Sequence, residues 1–147
     1  VGDKLMIEQV INNSKVLSII IRSNYHSNGI EFFTPSDYSQ QLAYMNRDEG
    51  HVIPPHLHNT VQRKVHVTQE VLYIKSGKVR VDFYDNNKNY LESKILNSGD
   101  VILLAYGGHG FQMIEESEII EIKQGPYVGD NDKTRFNPVN PEDLIIT

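Results

Sequence analysis

His56 and His58 are the first residues in this chain whose types and spacing could do chemistry. They are two residues apart and directly follow Pro54-Pro55, which favours extended backbone. In an extended segment, residues i and i+2 point to the same side, so the two imidazoles can converge on one point. Imidazole is a common neutral ligand of first-row divalent metal ions. On its own, a His-x-His pair is a weak signal that also fits a structural or incidental role.

Glu70 and His109 add two further groups of the same chemical kind. Glu70 begins a segment in which it shares one face with Leu72 and Ile74. Burying a carboxylate at the head of an apolar row is costly unless the group is paired or bound to a metal. His109 lies in a Gly-Gly-His-Gly turn after an apolar segment. The glycines let the backbone turn tightly and place the histidine at the start of the next strand.

The segments that must position these side chains are short, rich in β-branched residues and separated by turn residues. Predicted strands cover residues 16–22, 30–34, 41–46, 70–75, 78–84, 90–96, 101–105, 111–114 and 119–123. Helix signals are poor, and only residues 36–41 and 141–144 could each form a helical turn. Regular short strands with Gly, Asn and Asp turns indicate an all-β fold, an antiparallel sandwich or barrel.

The length predicts a single domain over residues 1–147, because 147 residues suffice for one core without disulfides. The barrel core is expected over residues 16–123. The polar, turn-rich tail, residues 125–147, is expected to lie extended over the barrel or over a neighbouring subunit. Its closing apolar residues, Leu144-Ile145-Ile146, are expected to dock.

The composition excludes several classes of function. The chain has no cysteine, which excludes a disulfide scaffold, a thiolate metal site and a cysteine nucleophile. The formal charge of −5, without a Lys/Arg cluster, predicts no nucleic-acid partner. No apolar run is long enough to cross a membrane, and Asp3 and Glu8 break the pattern of a signal peptide. We therefore expect a cytoplasmic protein.

Two motifs, taken in order, resemble those of the cupin family. The first motif of that family is Gly, five residues, His-x-His, a gap, Glu, six residues and Gly. The matching residues are Gly50, His56-Leu57-His58, Glu70 and Gly77. The second motif begins with Gly-Asp before an apolar strand and ends in a turn to a histidine. The matching residues are Gly99-Asp100, Gly107 and His109. The resemblance covers about residues 41–123.

The chain departs from the cupin pattern at three points. Eleven residues separate His58 from Glu70, where cupins usually have three or four. Ala105 stands where the second motif usually has proline, and the step from Gly107 to His109 is one residue short. Met113 stands where the motif often ends in asparagine. The inserted residues 59–69, which include Arg63, are expected to form a solvated hairpin.

The resemblance implies a single-domain cupin, which is a double-stranded β-helix or jelly-roll barrel. It also implies one divalent transition metal ion, Fe, Mn, Ni, Co or Zn, held by His56, His58, Glu70 and His109. The sequence as a whole is similar to those of small bacterial cupins of polysaccharide and nucleotide-sugar metabolism. The expected function is therefore that of a metal-binding cupin, of the isomerase or epimerase type, acting on a small sugar or sugar derivative.

Several alternatives stay open at this point. The chain could be a non-catalytic, metal-dependent module that binds a small molecule, an Fe(II)-dependent oxygenase, or a barrel that has lost its metal. Catalytic residues are not assigned, because no acid outside the metal set is obviously inward. A homodimer is expected through outer strands, with the apolar residues 16–21 contributing to the interface. A monomer by light scattering would count against it.

Overall fold

The computed structural model describes residues 6–147. Residues 1–5, which include Asp3 of the segment compared with a signal peptide, lie outside the described part. The described chain is an all-β protein. Its strands are β1 (Ile7–Asn12), β2 (Lys15–Ile21), β3 (Gly29–Phe32), β4 (Ala43–Asn46), β5 (Glu70–Ser76), β6 (Lys78–Tyr84), β7 (Tyr90–Asn97), β8 (Val101–Leu104), β9 (Gly108–Met113) and β10 (Glu118–Lys123). No helix in this part of the chain has the length and apolar character needed to span a membrane.

The strands form antiparallel sheets. The largest has the order β1-β2-β8-β5-β10, a second has the order β7-β6-β9, and β3 pairs with β4. The main core contains side chains from both larger sheets. It includes Leu72 and Ile102 of the five-stranded sheet and Val81, Phe83 and Leu96 of the three-stranded sheet. Because the residues of each strand alternate between faces, each larger sheet contributes one apolar face to this core.

The apolar strand β2 lies in the interior of a sheet and not at its outer edge. It pairs with β1 on one side and with β8 on the other, so it is interior to the five-stranded sheet. Ile20 faces the main core, whereas Ile19 packs on the opposite face, in a second cluster with Tyr38 and Leu103. The expectation that residues 16–21 offer an outer strand for dimer contact is therefore wrong.

The predicted strands are confirmed, with ends that differ by a few residues. β1 was not predicted, so the barrel strands begin before residue 16. The expected helical turn at residues 36–41 is wrong, because this segment forms hydrogen-bonded turns such as Tyr38 N–H to the Pro35 carbonyl. A 3₁₀ turn at Pro141–Asp143 matches the second helical prediction. Residues 59–69 do not form the expected hairpin, since no strand lies between β4 and β5.

The tail packs on the three-stranded sheet. Phe136 packs edge-to-face on Tyr84, with ring centroids 5.0 Å apart. The backbone N–H of Val139 donates to the Tyr84 hydroxyl at 3.0 Å. Near the terminus, Ile146 forms a parallel bridge with Ser93 at the edge of β7, where Ser93 N–H donates to the Ile145 carbonyl at 2.7 Å. The tail therefore contacts both a face and an edge of this sheet.

Candidate functional site

The candidate site lies between the two larger sheets, where a side chain of β5 contacts one of β9, next to the edge strands β9 and β10. Within residues 6–147, β10 pairs only with β5, and β9 pairs only with β6. Each is therefore an edge strand, and each leaves a row of backbone groups unpaired. We call the gap between these two edges the open seam.

Glu70 and His109 face each other across the open seam. Glu70 is the first residue of β5, and its register partner on β8 is Leu104, so its side chain belongs to the core face. His109 is paired with the buried Phe83 on β6 and therefore also points inward. Gly107, with φ of +75°, makes the turn into β9, a backbone conformation that side chains with a Cβ rarely adopt. The local sequence thus places both groups as the strand pattern predicts.

The two side chains are in direct contact. His109 Nε2 lies 2.7 Å from Glu70 Oε1, and the side chains are 28% and 11% exposed. The hydrogen bond from His109 lowers the pKa of the Glu70 carboxyl to about 2, against the opposite effect of its burial. Glu70 is therefore a largely buried carboxylate whose lowered pKa favours the ionised form.

Glu121 and Lys123 extend this group on β10. In the register of β10 with β5, Glu121 pairs with Leu72 and Lys123 pairs with Glu70, so both lie on the inner face. A hydrogen bond with Glu70, together with burial, raises the pKa of Glu121. The sequence reading missed Glu121 because three isoleucines on both faces of β10 obscure its alternation. The sequence did offer one signal: Glu121 is two residues from both Ile119 and Lys123, so the three side chains share one face of the strand.

The wall of the open seam is apolar. Phe111 and Met113 follow His109 at intervals of two residues on β9, and their register partners Val81 and Val79 are fully buried. Phe111 and Met113 are themselves exposed. They line the accessible edge of the core. Such a surface could hold the apolar side of a small ligand next to the Glu70 carboxylate.

His56 and His58 lie in a different environment. They belong to the exposed segment between β4 and β5, which has no regular secondary structure. Their rings are edge-to-face with centroids 5.2 Å apart, and His56 Nδ1 lies 2.9 Å from the Pro54 carbonyl. Among residues 6–147, no three His, Asp or Glu side chains form a group able to hold one ion. The structure thus brings the four predicted ligands together as two pairs.

The Glu70–His109 pair fits a metal ion in donor chemistry, because a neutral imidazole nitrogen and a carboxylate oxygen are both ligands of divalent transition metal ions. Their separation of 2.7 Å is that of a hydrogen bond, so an ion would take the place of the proton between them. The pair formed by His56 and His58 fits in donor type, but its placement away from Glu70 does not complete a site. We therefore derive no reaction step through a metal.

Comparison of the chain with protein-family models, with curated proteins and with solved structures finds no match.

Proposed function

We propose that the chain is a metal-binding protein of the cupin type that acts on a small sugar or sugar derivative. The ion would be held by His56, His58, Glu70 and His109, and the jelly-roll connectivity of a cupin is part of the proposal. The observation that carries it is the contact between Glu70 and His109 in an open seam. These two predicted ligands come from different strands, β5 and β9, and the structure brings their side chains into direct contact.

The reaction class follows from what the seam would offer a ligand. When bound, a divalent ion polarises a carbonyl or hydroxyl oxygen, which suits an isomerase or epimerase. Glu121 is a carboxyl outside the four ligands, on the inner face beside Glu70. It can accept hydrogen bonds from ligand hydroxyls and orient them. A group of this kind favours catalysis over a module that only binds.

The proposal includes a homodimer in the cytoplasm. Tyr73, Ile120 and Ile122 form an exposed apolar row on the outer face of the five-stranded sheet. A second copy of the chain would remove this row from water. The row replaces residues 16–21 as the surface that supports the dimer.

The test is metal content, measured by plasma mass spectrometry on untagged protein. The variant His56→Ala/His58→Ala removes the exposed pair, and His109→Ala removes the partner of Glu70. His26→Ala/His66→Ala is a matched control, because both of these histidines are exposed and neither is a proposed ligand. We expect near-stoichiometric transition metal in the wild type and in the control. Both ligand variants should lose it.

Two results would contradict the metal site. One is equal metal content in the control and the ligand variants. The other is a wild type without metal whose melting temperature does not rise on addition of Fe, Mn, Ni, Co or Zn. A metal-loaded protein that binds a sugar without converting it would favour the binding-module alternative.

A further inference from the structure

A cavity of about 190 Å³ lies next to the open seam, where β10 ends. After Lys123 the chain turns through Gly125-Pro126 and a 3₁₀ turn at Gly129–Asp132, and these segments enclose the cavity together with Thr68. Lys123, which lines the cavity, is the register partner of Glu70 on β5. The cavity and the Glu70–His109 pair are therefore linked through one residue, Lys123.

The cavity contains a pair of opposite charges with hydrogen-bonding capacity to spare. Lys123 Nζ lies 3.6 Å from Asp132 Oδ2, which is longer than a good hydrogen bond, and the two side chains are 30% and 20% exposed. The Thr68 hydroxyl donates to Asp132 Oδ1 and fixes the carboxylate. An ammonium group has three donors and a carboxylate about four acceptor positions, so both groups, which line the cavity, keep hydrogen-bonding capacity beyond these contacts.

An aromatic ring stands at the same cavity. Tyr127 is 91% exposed and lines the cavity between Pro126 and Val128. An exposed ring of this kind can pack against the apolar C–H face of a ligand, while its hydroxyl stays in water. Apart from Lys123 and Asp132, the lining is formed by uncharged residues.

These groups select a chemical class of ligand. An anionic group would approach Asp132 and Glu70, and a cationic group would approach Lys123. An apolar ligand would desolvate both charges without replacing their hydrogen bonds. A neutral ring that carries several hydroxyls can donate to the carboxylate, accept from the ammonium and place its C–H face on Tyr127.

We infer that this cavity is the binding subsite for a neutral sugar ring, held by Lys123, Asp132 and Tyr127. Cavities that enclose drug-sized molecules measure about 300–1,000 Å³. A cavity of about 190 Å³ therefore takes a single ring rather than a disaccharide or a nucleotide. The inference deepens the proposed function and rests on it, because the ring bound here would present its neighbouring atoms to Glu70.

The experiment measures the binding of neutral methyl glycosides of glucose, galactose and mannose by saturation-transfer NMR, with titration of the best binder. Tyr127→Ala and Asp132→Asn should each weaken binding at least tenfold. Phe32→Ala is the matched control, because it removes an exposed ring from β3, and it should change the affinity less than twofold. Glucose 1-phosphate should bind no more tightly than the neutral glycoside.

The inference is overturned if no neutral glycoside binds in a saturable way, or if Phe32→Ala weakens binding as much as Tyr127→Ala does. Tighter binding of the phosphorylated sugar would also overturn it. Metal content is measured on every variant. Glycoside binding that depends on Tyr127 in a protein that takes up no metal would support the subsite and contradict only the proposed metal function.

Discussion

The two seams between the larger sheets contain the same kinds of charged residues. In one seam these residues are paired with one another, whereas in the other they keep unused hydrogen-bonding capacity. One seam joins β1 to β7, and its charged group consists of Glu8, Arg22, Lys94 and Asp100, which we call the Arg22 cluster. The other is the open seam between β9 and β10, where Glu70, His109, Glu121 and Lys123 form the Glu70 cluster. The two clusters lie at opposite ends of β8, since Asp100 precedes Val101 and Glu70 pairs with Leu104.

The Arg22 cluster is saturated by the protein itself. The Asp100 carboxylate is almost fully buried and accepts hydrogen bonds from Ser23 N–H at 2.8 Å, Asn97 N–H at 2.8 Å and Arg22 Nη1 at 2.9 Å. Arg22 Nη1 also donates to the Ile95 carbonyl on β7. These bonds pin the ends of β2, β7 and β8 together.

The remaining members of the Arg22 cluster close the seam. Glu8 on β1 accepts from Arg22 Nε, and its second oxygen lies 3.3 Å from Lys94 Nζ on β7. The Glu70 cluster makes one tight contact across its seam and leaves Glu121, Lys123 and Phe111 accessible. Charge in the interior of this protein is therefore not in itself evidence of function. Hydrogen-bonding capacity that the protein leaves unused marks the place where a ligand can bind.

The largest expected effect comes from Asp100→Asn. The amide turns one acceptor oxygen into a donor that meets other donors, and Arg22 loses one of its two buried partners. Breaking a buried ion pair on one side typically lowers the free energy of unfolding by about 3–5 kcal/mol. Urea denaturation should show a loss of about 3 kcal/mol or more. A loss under about 1 kcal/mol would mean that the closed seam is not held by this cluster.

Acid should weaken the closed seam through Glu8. Burial alone would raise the pKa of Glu8, but the hydrogen bond and charge of Arg22, with the charge of Lys94, lower it below its ordinary value of 4.5. A carboxyl whose pKa is lower in the folded state contributes stability above about pH 4.5. It loses that contribution as the pH falls through the folded-state pKa.

Glu8→Gln is therefore expected to be less stable than the wild type at neutral pH and to lose less stability between about pH 4.5 and 3. The measurement is the free energy of unfolding in urea at half-unit pH steps. Glu118→Gln removes an exposed acid whose partners are Lys75 and the Ser76 hydroxyl, and its curve should parallel that of the wild type. A Glu8→Gln curve parallel to the wild type would contradict the role of the cluster.

The alternation of apolar residues predicted most of the strands. It also predicted the inward direction of Glu70 and His109, which form half of the candidate site. Both Glu70 and His109 lie on strands with strong apolar alternation, so their inward direction could be deduced from neighbours such as Leu72. β1 was not recognised, because its sequence, IEQVIN, mixes polar and apolar residues and only Val10 is fully buried. Its position depends on pairing with β2, which is a tertiary property.

The remainder of the site depends on contacts between distant segments. His56 and His58 could be recognised by spacing, but nothing local determines where an exposed segment lies relative to the barrel. The proposed sugar subsite could not be predicted from the sequence for a related reason. Lys123, Tyr127 and Asp132 resemble ordinary surface residues until the turn at Gly125 folds the tail beside β10. A salt bridge across that turn has no signature in the periodicity of either segment.

A smaller loss of stability than that of Asp100→Asn is expected from Glu70→Gln, its counterpart in the open seam. The amide keeps an oxygen that accepts from His109 Nε2, and its N–H groups can donate to Glu121 or to water at the exposed side of the seam. Lys123 keeps Asp132 as a partner. Because the contact with His109 also lowers the pKa of Glu70, the loss of the charge weakens the folded state, and the free energy of unfolding of the metal-free protein should fall by about 1–2 kcal/mol.

The same variant separates stability from ligand binding. A neutral amide is a poorer ligand for a divalent ion than a carboxylate, so added metal should raise the melting temperature of the wild type and leave that of Glu70→Gln almost unchanged. If Glu70→Gln instead destabilised the metal-free protein as strongly as Asp100→Asn does, the Glu70–His109 contact would be a structural clamp like the Arg22 cluster. The contrast between a saturated seam and a seam with binding capacity would then disappear.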